Sequence, residues 1–296
     1  MTEHRCLVNV PASSANLGPG YDVLAAALEL QLELEVEETG DFEVEAGGLD
    51  VPVDRTNLCV RAFERLHSAD GLRFKITSEI PLAAGLGSSA AAIVAALLAA
   101  DHLYELGNSR EQIFALAVDV EGHPDNVAAA LYGGIVVCPT GGAEPGGAAA
   151  PIRLNPPEGV EPLLVLPDAE VPTAAAREAM PAEVPLADAT ANLSAAAHLV
   201  LGIERSDLTL IERGLHDRIH QSRRESLYPR SMEIVREATR LGALGATISG
   251  AGPAVLVWCS SKSSGEVADA LRSELGEWAE VRRSPFSSDG ADVAEA

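Results

Sequence analysis

The chain has 296 residues, 47% of them hydrophobic and 4% aromatic, and its 44 acidic against 21 basic residues give a net charge of −23. That length allows a full core and two domains, and the acidic balance excludes a nucleic-acid partner held by a basic surface. No apolar run reaches the roughly 18 residues free of polar breaks that a membrane span needs, and no signal peptide is visible, so we expect a cytoplasmic protein with no membrane partner.

Lysine is nearly absent, since Lys75 and Lys262 are the only two. Few lysines, excess carboxylate and many small residues are typical of proteins from halophilic archaea, where molar salt screens charges within about 3 Å. An ordinary acidic protein is the alternative.

The cysteines are scattered in apolar contexts and form no C-x-x-C pair. This pattern predicts buried free thiols rather than a zinc site or disulfides. The four are Cys6, Cys59, Cys138 and Cys259.

In chain order, apolar alternation first predicts strands and then helices. The predicted strands are Cys6–Val10, Leu30–Glu37, Phe42–Ala46 and Arg73–Thr77, with a helix at Asn57–Ser68. Further helices are predicted at Ser88–Leu106, from a Ser109 cap to about Val120, and at Val127–Tyr132, before a strand at Ile135–Cys138. The Gly/Ala/Pro-rich segment Thr140–Pro151 predicts a mobile loop.

The pattern then restarts, which predicts a second layer of strands and helices. Its strands are Leu163–Leu166, Ala246–Ile248, Ala254–Trp258 and Ala279–Arg283, and its helices Ala174–Met180, Leu186–Ile203, Leu208–Arg213, Ser231–Leu241 and Gly265–Leu275. We therefore predict domains at 1–155 and 156–286, followed by an acidic, disordered tail at 287–296.

A glycine-poised loop joins the fourth strand to the long apolar helix. It comprises Pro81, Leu82, Ala83, Ala84, Gly85, Leu86, Gly87, Ser88, Ser89, Ala90 and Ala91. Gly85 and Gly87 permit positive φ, and Ser88 and Ser89 lie where the free N–H groups of a helix N-terminus point outward. A polyphosphate suits that position. The loop is neither a Walker nor a Rossmann motif, and an ordinary strand-to-helix turn is the alternative.

Three further motifs accompany this loop. Pro11–Asp22 is a Gly/Pro turn in which Asn16 and Asp22 either face a small polar substrate or serve as turn and capping residues. Glu121-Gly-His-Pro-Asp-Asn126 is a tight turn that opens a helix. In Gly245–Val255 a Gly-rich turn joins two strands, and its small residues predict packing support for the phosphate loop.

In this order the four motifs resemble those of the GHMP small-molecule kinases, and Ser14-Ala-Asn-Leu-Gly-Pro-Gly-Tyr-Asp22 is similar to homoserine kinases rather than to galactokinases. The resemblance implies an α+β fold with a ribosomal-protein-S5-like N-terminal domain and a ferredoxin-like C-terminal domain. It also implies a homodimer that uses ATP and Mg²⁺ to phosphorylate the side-chain hydroxyl of L-homoserine in threonine biosynthesis.

Site roles follow from the same resemblance. It places the nucleotide on residues 81–91 and the reacting hydroxyl beside His123, Asp125 and Asn126, with Asp125 as a base or an orienting group. Homoserine would contact Asn16, Asp22, His123, Thr173, Arg177 and Arg224. Ser88 and Glu121 would bind Mg²⁺; Glu121 is the nearest carboxylate because Ala115 stands where the family's glutamate can lie.

Other interpretations remain open. His216-Asp-Arg-Ile-His220 spaces two imidazoles as in zinc proteases, although a surface helix explains that pattern too. Shikimate and mevalonate are alternative acceptors, and a non-catalytic nucleotide-binding regulator is an alternative to an enzyme.

Overall fold

Two β-sheets, each packed against helices, organise the chain in a computed structural model that describes residues 4–139 and 150–295. The first sheet contains β1 (Arg5–Ala15), β2 (Leu24–Glu38), β3 (Glu43–Glu45), β4 (Leu72–Ser78), β5 (Ile135–Val137), β6 (Ile152–Leu154) and β11 (Asp292–Glu295). Its order is β11-β1-β2-β4-β3, with β5 and β6 continuing from the other end of β2. Every pair is antiparallel except β3 with β4.

Four helices accompany this sheet: α1 (Leu58–Phe63), α2 (Ser88–Leu103), α3 (Arg110–Glu121) and α4 (Asp125–Tyr132). α2 and α4 pack on the strands, and α1 and α3 pack against α2. α2 is built mostly of Ala and Leu, which favour helix, with one Ile and one Val, so most of its surface is apolar. Eleven of its 16 residues are buried, so the helix is fixed between the sheet and its neighbours. α3 begins with the capping box that Ser109 and Gln112 form.

The second sheet is antiparallel, in the order β10-β7-β9-β8. Its strands are β7 (Leu163–Pro167), β8 (Gly245–Ile248), β9 (Val255–Trp258) and β10 (Ala279–Arg283), and the helices of this half are α5 (Thr173–Glu178), α6 (Leu186–Arg205), α7 (Leu208–Gly214), α8 (Pro229–Glu237) and α9 (Ser264–Leu275). A 3-10 helix, Ser222–Leu227, precedes α8. The predicted α+β class is confirmed, whereas the domain boundary at residue 155 stays a prediction.

The predicted disorder of the tail is wrong. β11 pairs with β1 over Cys6–Asn9, and Val293 packs against the core. Upstream, Arg110 Nη2 donates to the Ala291 carbonyl at 2.9 Å. The acidic composition suggested a solvated tail, but the unpaired backbone groups of an open sheet edge can pair with another strand whatever its side chains are. The predicted loop 140–151 lies almost entirely outside the described residues.

The segment His216–His220 is not a helix, so the surface-helix interpretation is wrong as well. It is an irregular stretch after α7 in which His216 is exposed and His220 fully buried. The two rings therefore share no metal-binding face. Within the described ranges no group of three or more His, Cys, Asp or Glu side chains is arranged to hold a metal, which argues against the zinc-protease interpretation. The four cysteines are buried and free, as predicted.

Of the helices in the described ranges, α6 alone is long and apolar enough to cross a membrane, by length and composition only. It packs along α7, and its buried Asn192 donates to the Pro19 carbonyl. These contacts are those of a helix in a globular domain. The absence of a membrane partner stays a prediction.

Candidate active site

A cleft of about 240 Å³ opens where the two sheets meet. The lining comes from the ends of β1 and α3, the loop before α2 and the start of α4 in the first half of the chain, and from α5, the 3-10 helix and the β8–β9 turn in the second half. Its lining includes Asn16, Asp22, Ala83, Gly85, Leu86, Gly87, Ser88, Ser89, Glu121, His123, Asp125, Asn126, Val171, Thr173, Ala176, Arg177, Arg224, Gly250 and Ala251.

The loop before α2 turns four consecutive carbonyl groups into the protein. Ala83 O, Ala84 O and Leu86 O accept from Val171 N, Ala254 N and Ser13 N at 3.5, 3.2 and 3.0 Å. Gly85 O accepts from Ser249 Oγ at 2.7 Å. Because C=O and N–H point in opposite directions across a trans peptide, the N–H groups of residues 84–87 face the other way. Among the described residues no acceptor takes them, so they form a set of donors for an anion.

Glycine is required at two positions of this loop by both φ and space. Gly85 has φ +84°, and a Cβ there would overlap the Ser249 carbonyl oxygen and lie 2.9 Å from Gly252 N. Gly87 has φ +69°, and its Cβ would overlap Ser13 Oγ. The Gly-rich turn between β8 and β9 thus packs directly on the phosphate loop, as predicted.

The residues predicted to bind the nucleotide do not all line the cleft. Ala83, Gly85, Leu86, Gly87, Ser88 and Ser89 line the cleft. Ala84, Ala90 and Ala91 are buried and hold the loop in place. Pro81 is not among the residues that line the cleft. Leu82 lines a separate apolar cavity of about 170 Å³, which Ser88 and Ser89 also border.

The Glu121–Asn126 turn presents a chain of hydrogen-bonded side chains beside the loop. Ser89 Oγ donates to Glu121 Oε1 at 2.6 Å, and His123 lies 3.6 Å from that oxygen through Nε2 and 3.2 Å from Asp125 Oδ1 through Nδ1. The backbone N–H of Asn126 donates to the same Asp125 oxygen at 2.8 Å. Within the described part of the chain nothing donates to Asp125 Oδ2, so that oxygen is available to a ligand.

Two of these groups have shifted pKa values. The hydrogen bond with Asp125 raises the pKa of His123 and outweighs the opposing effect of burial. Burial raises the pKa of Glu121, although the Ser89 hydroxyl and His123 oppose the change. The turn therefore holds an imidazole that protonates more readily than a free one, beside the carboxyl groups of Glu121 and Asp125.

The Asn16 side chain closes its own turn and ties that turn to the β8–β9 turn. Its Nδ2 donates to Gly250 O at 2.9 Å, and its Oδ1 accepts from Asp22 N at 2.8 Å. Asp22 extends from this turn, and its carboxylate accepts hydrogen bonds from Arg177 Nη2 and Nη1 at 3.0 and 3.2 Å. The turn role of Asn16 is thus observed, and its contact with substrate stays a prediction.

Arg224 lies behind this ion pair. Only 2% of it is exposed, and it donates through Nε to Ala176 O at 2.9 Å and through Nη1 to Gly250 O at 3.2 Å. The neighbouring Arg223 is exposed. Thr173, the first residue of α5, borders the cleft, so every predicted substrate residue lies at this one site.

Sequence reasoning missed two kinds of residue. Ser13 donates through Oγ to Asn126 Oδ1 at 2.8 Å and thereby holds the amide against Gly87. Val171, Ala176 and Ala251 line the cleft as well. Only the buried Ser13-Ser14 pair in an apolar strand gave a sequence signal, since a hydroxyl there needs a partner.

For magnesium, Glu121 lines the cleft with Ser88, whereas Ala115 is exposed on α3 and does not line it. A carboxylate beside hydroxyls is a donor set that Mg²⁺ uses together with phosphate oxygens. The side chains present therefore fit the ion.

Comparisons with known proteins match both halves of the chain. The family described as GHMP kinases N terminal domain matches residues 57–134, and GHMP kinases C terminal matches residues 199–277. A homoserine kinase of Prochlorococcus marinus is 36% identical over 279 residues, which cover 90% of this chain and 87% of that protein. One of Desulfitobacterium hafniense is 37% identical over 276 residues, covering 90% and 92%.

Solved structures agree. The homoserine kinase of Cytophaga hutchinsonii has a TM-score of 0.86 and 27% identity, covering 99% of this chain and 98% of that one. A mevalonate kinase with a TM-score of 0.70 and 16% identity, covering 95% and 99%, shares the fold alone.

Proposed function

The chain belongs to the homoserine kinase family of the GHMP kinases, and we propose that its cleft transfers the γ-phosphoryl group of ATP to the side-chain hydroxyl of L-homoserine, giving O-phospho-L-homoserine and ADP. One observation carries the proposal. A carboxylate and two guanidinium groups line the same small cavity as Gly85, Leu86 and Gly87, whose backbone N–H groups have no acceptor among the described residues. An amino-acid acceptor and a phosphate chain need these opposite sets of partners.

The acceptor wall suits a zwitterion. Arg224 and Arg177 offer planar donors for a carboxylate, which guanidinium binds bidentately, and Asp22 offers an acceptor for an ammonium group. The present ion pair between Arg177 and Asp22 holds both charges where the acceptor would engage them separately. Thr173 and Asn16 complete this wall in the proposed complex.

Phosphoryl transfer depends on positioning and charge neutralisation more than on a strong base. The N–H groups of the loop would hold the phosphates, while His123, Asn126 and the free Asp125 Oδ2 would hold the acceptor hydroxyl in line. Asp125 either accepts the hydroxyl proton or only orients it. The apolar cavity beside Ser88 and Ser89 is our proposed location for the adenine ring of ATP.

We propose Mg²⁺ as the metal, held by Glu121 and Ser88 together with phosphate oxygens. When bound, the ion would neutralise charge that accumulates on the phosphates. The Ser89 hydroxyl, which already donates to Glu121, orients that carboxylate. Its raised pKa means that binding a cation at this position would also displace any proton that Glu121 carries.

The test is ADP release by the purified protein with ATP and Mg²⁺ in molar KCl, with L-homoserine, shikimate, mevalonate or no acceptor. We expect turnover that depends on homoserine. Turnover with another acceptor would keep the kinase and overturn the substrate. ATP binding without turnover on any acceptor would favour a non-catalytic regulator.

We also propose that the protein forms a homodimer. Apolar residues of α6 face outward, with Leu186 83% and Leu193 72% exposed, and the second copy of this chain is the partner we assign to them. Light scattering should then give a dimer mass, and a monomer for Leu193→Glu. Leu106→Glu, on an exposed position away from α6, should stay dimeric.

Finally, we propose that the protein works in a salt-rich cytoplasm. Its net charge is −23, so its carboxylates repel one another in dilute buffer, and salt screens that repulsion. We expect the melting temperature to rise steadily between about 0.1 and 3 M KCl. A flat or falling curve would identify an ordinary acidic enzyme.

A further inference from the structure

The segment that carries His216 and His220 has no part in the proposed chemistry, yet it packs against the acceptor wall. His220 is fully buried, and its Nε2 lies 2.7 Å from the carbonyl oxygen of Gly18. Gly18 belongs to the turn that ends at Asp22, about 200 residues earlier in the chain. The imidazole therefore joins the second half of the protein to the turn that carries Asp22.

Asp217 fixes the backbone around this histidine. Its carboxylate accepts from the N–H groups of Ile219, His220 and Gln221 at 2.9, 3.0 and 2.8 Å and from Asn192 Nδ2 at 3.1 Å. Four donors satisfy the carboxylate, while His220 Nε2 is 3.9 Å away. Asp217 thus shapes the loop rather than accepting the imidazole proton.

The ring must carry its hydrogen on Nε2 because a carbonyl oxygen can only accept. Its Nδ1 is buried and has no partner among the described residues, so a second proton there would be an unpaired donor. Burial lowers the pKa of His220. Of the charged groups that face it, Arg224 acts in the same direction and Asp217 and Asp22 oppose it. The ring is therefore neutral, with a fixed tautomer.

The turn held by His220 is the one that faces the acceptor. The Tyr21 ring lies 5.4 Å from the imidazole and 5.1 Å from the Arg224 guanidinium carbon. Asp22 follows Tyr21 directly and pairs with Arg177. A shift of the Gly18 carbonyl would move Tyr21 and Asp22 relative to both arginines.

We propose that His220 is a positioning residue for the acceptor substrate: its neutral Nε2–H donates to Gly18 O and holds Asp22 in register with Arg177 and Arg224. His220 touches no substrate in this arrangement. The inference rests on the proposed function for the identity of the acceptor, although the contact itself does not.

Three variants separate positioning from general packing. The Gln side-chain nitrogen reaches about as far as Nε2 and keeps a donor for Gly18, the Asn nitrogen reaches only the Nδ1 position, and Leu has no donor. We expect His220→Asn and His220→Leu to raise the KM for homoserine about tenfold, which corresponds to about 1.4 kcal/mol, with the KM for ATP changed less than about twofold. His220→Gln should lie within about threefold of wild type.

The proposal is overturned if Asn and Leu leave the KM for homoserine unchanged, if both KM values rise together, or if Gln fails as badly as Leu. Imidazole ¹H–¹⁵N spectra of the wild-type protein provide a test that needs no variant to fold. A neutral Nε2–H form at all pH values from about 5.5 to 9 is expected, whereas an Nδ1–H form or an ordinary titration would overturn the proposal. The kinetic test uses whichever acceptor the wild type phosphorylates, so a failure of homoserine turnover alone would affect only the proposed function.

Discussion

The two walls of the cleft are built from different parts of the polypeptide. The phosphate wall is backbone: the N–H groups of residues 85–87, held by bonds from Ser13, Val171, Ser249 and Ala254 to the carbonyls of the same loop. The acceptor wall is side chain. Asp22, Arg177 and Arg224 come from three distant segments and meet through ion pairs and bonds to carbonyl oxygens.

The difference matters because backbone and side-chain sites fail in different ways. A backbone donor cannot be removed by substitution, but its loop can be displaced by one methyl group where packing is tight. A charged side chain can be replaced without moving the fold, and its loss affects the ligand whose charge it matched. We therefore expect variants of the phosphate wall to damage ATP binding and variants of the acceptor wall to damage homoserine binding.

The largest effect is expected from Gly85→Ala. The new Cβ would press on the Ser249 carbonyl and Gly252 N, which are backbone atoms and cannot rotate away. We expect kcat/KM for ATP to fall about 10³-fold, or about 4 kcal/mol, in steady-state kinetics.

Gly40→Ala is the matched control for that variant. Gly40 has a similar φ of +90°, and no atom lies within 4 Å of the position that a Cβ would take there, so the substitution adds backbone strain of about 1 kcal/mol without a clash. Its kinetics should match wild type. Equal damage from both variants would show that the loss comes from placing an alanine at positive φ, and not from the clash between Gly85 and the β8–β9 turn.

A smaller effect, confined to the acceptor, is expected from Arg224→Met. The substitution removes a buried guanidinium that lines the cleft, and we expect the KM for homoserine to rise about 100-fold, or about 2.8 kcal/mol. The KM for ATP should stay within about twofold of wild type. Arg223→Met, one residue away and exposed, should behave as wild type. If Arg223→Met were the damaging variant, or if the KM for ATP rose equally, the assigned carboxylate partner would be wrong.

The same contrast explains what could be predicted from the sequence. The phosphate wall depends on local features, because Gly85, Gly87 and the apolar run of α2 are contiguous and each has a direct conformational meaning. Resemblance to a known family supplied the acceptor residues, and the cleft contains them. Composition alone gave no reason to bring Asp22 beside Arg177.

Two failures have physical causes of the same kind. His216 and His220 have the spacing of one helix face, yet the Asp217 carboxylate accepts three backbone N–H groups and stabilises a non-helical loop instead. β11 forms because the edge of β1 is open, a condition set by the whole sheet and absent from residues 292–295 themselves. Local pattern could not reveal either tertiary partner.

The smallest effect concerns pH, and it tests His123, a side chain that the proposed function places beside the acceptor hydroxyl. The hydrogen bond with Asp125 raises the pKa of His123 above its ordinary value of 6.5. The imidazolium therefore adds stability that is complete below that ordinary value and is lost as the pH rises through the higher, folded-state pKa. Urea melts measure how much free energy of unfolding the His123→Asn substitution removes. We expect that loss to be larger at about pH 6 than at about pH 9. His216→Asn, at an exposed position, gives the baseline for replacing a histidine. A loss for His123→Asn that is equal at both pH values, after subtraction of that baseline, would mean that the ring acts through packing rather than charge. This side chain would then fail in the way expected of the tightly packed phosphate wall.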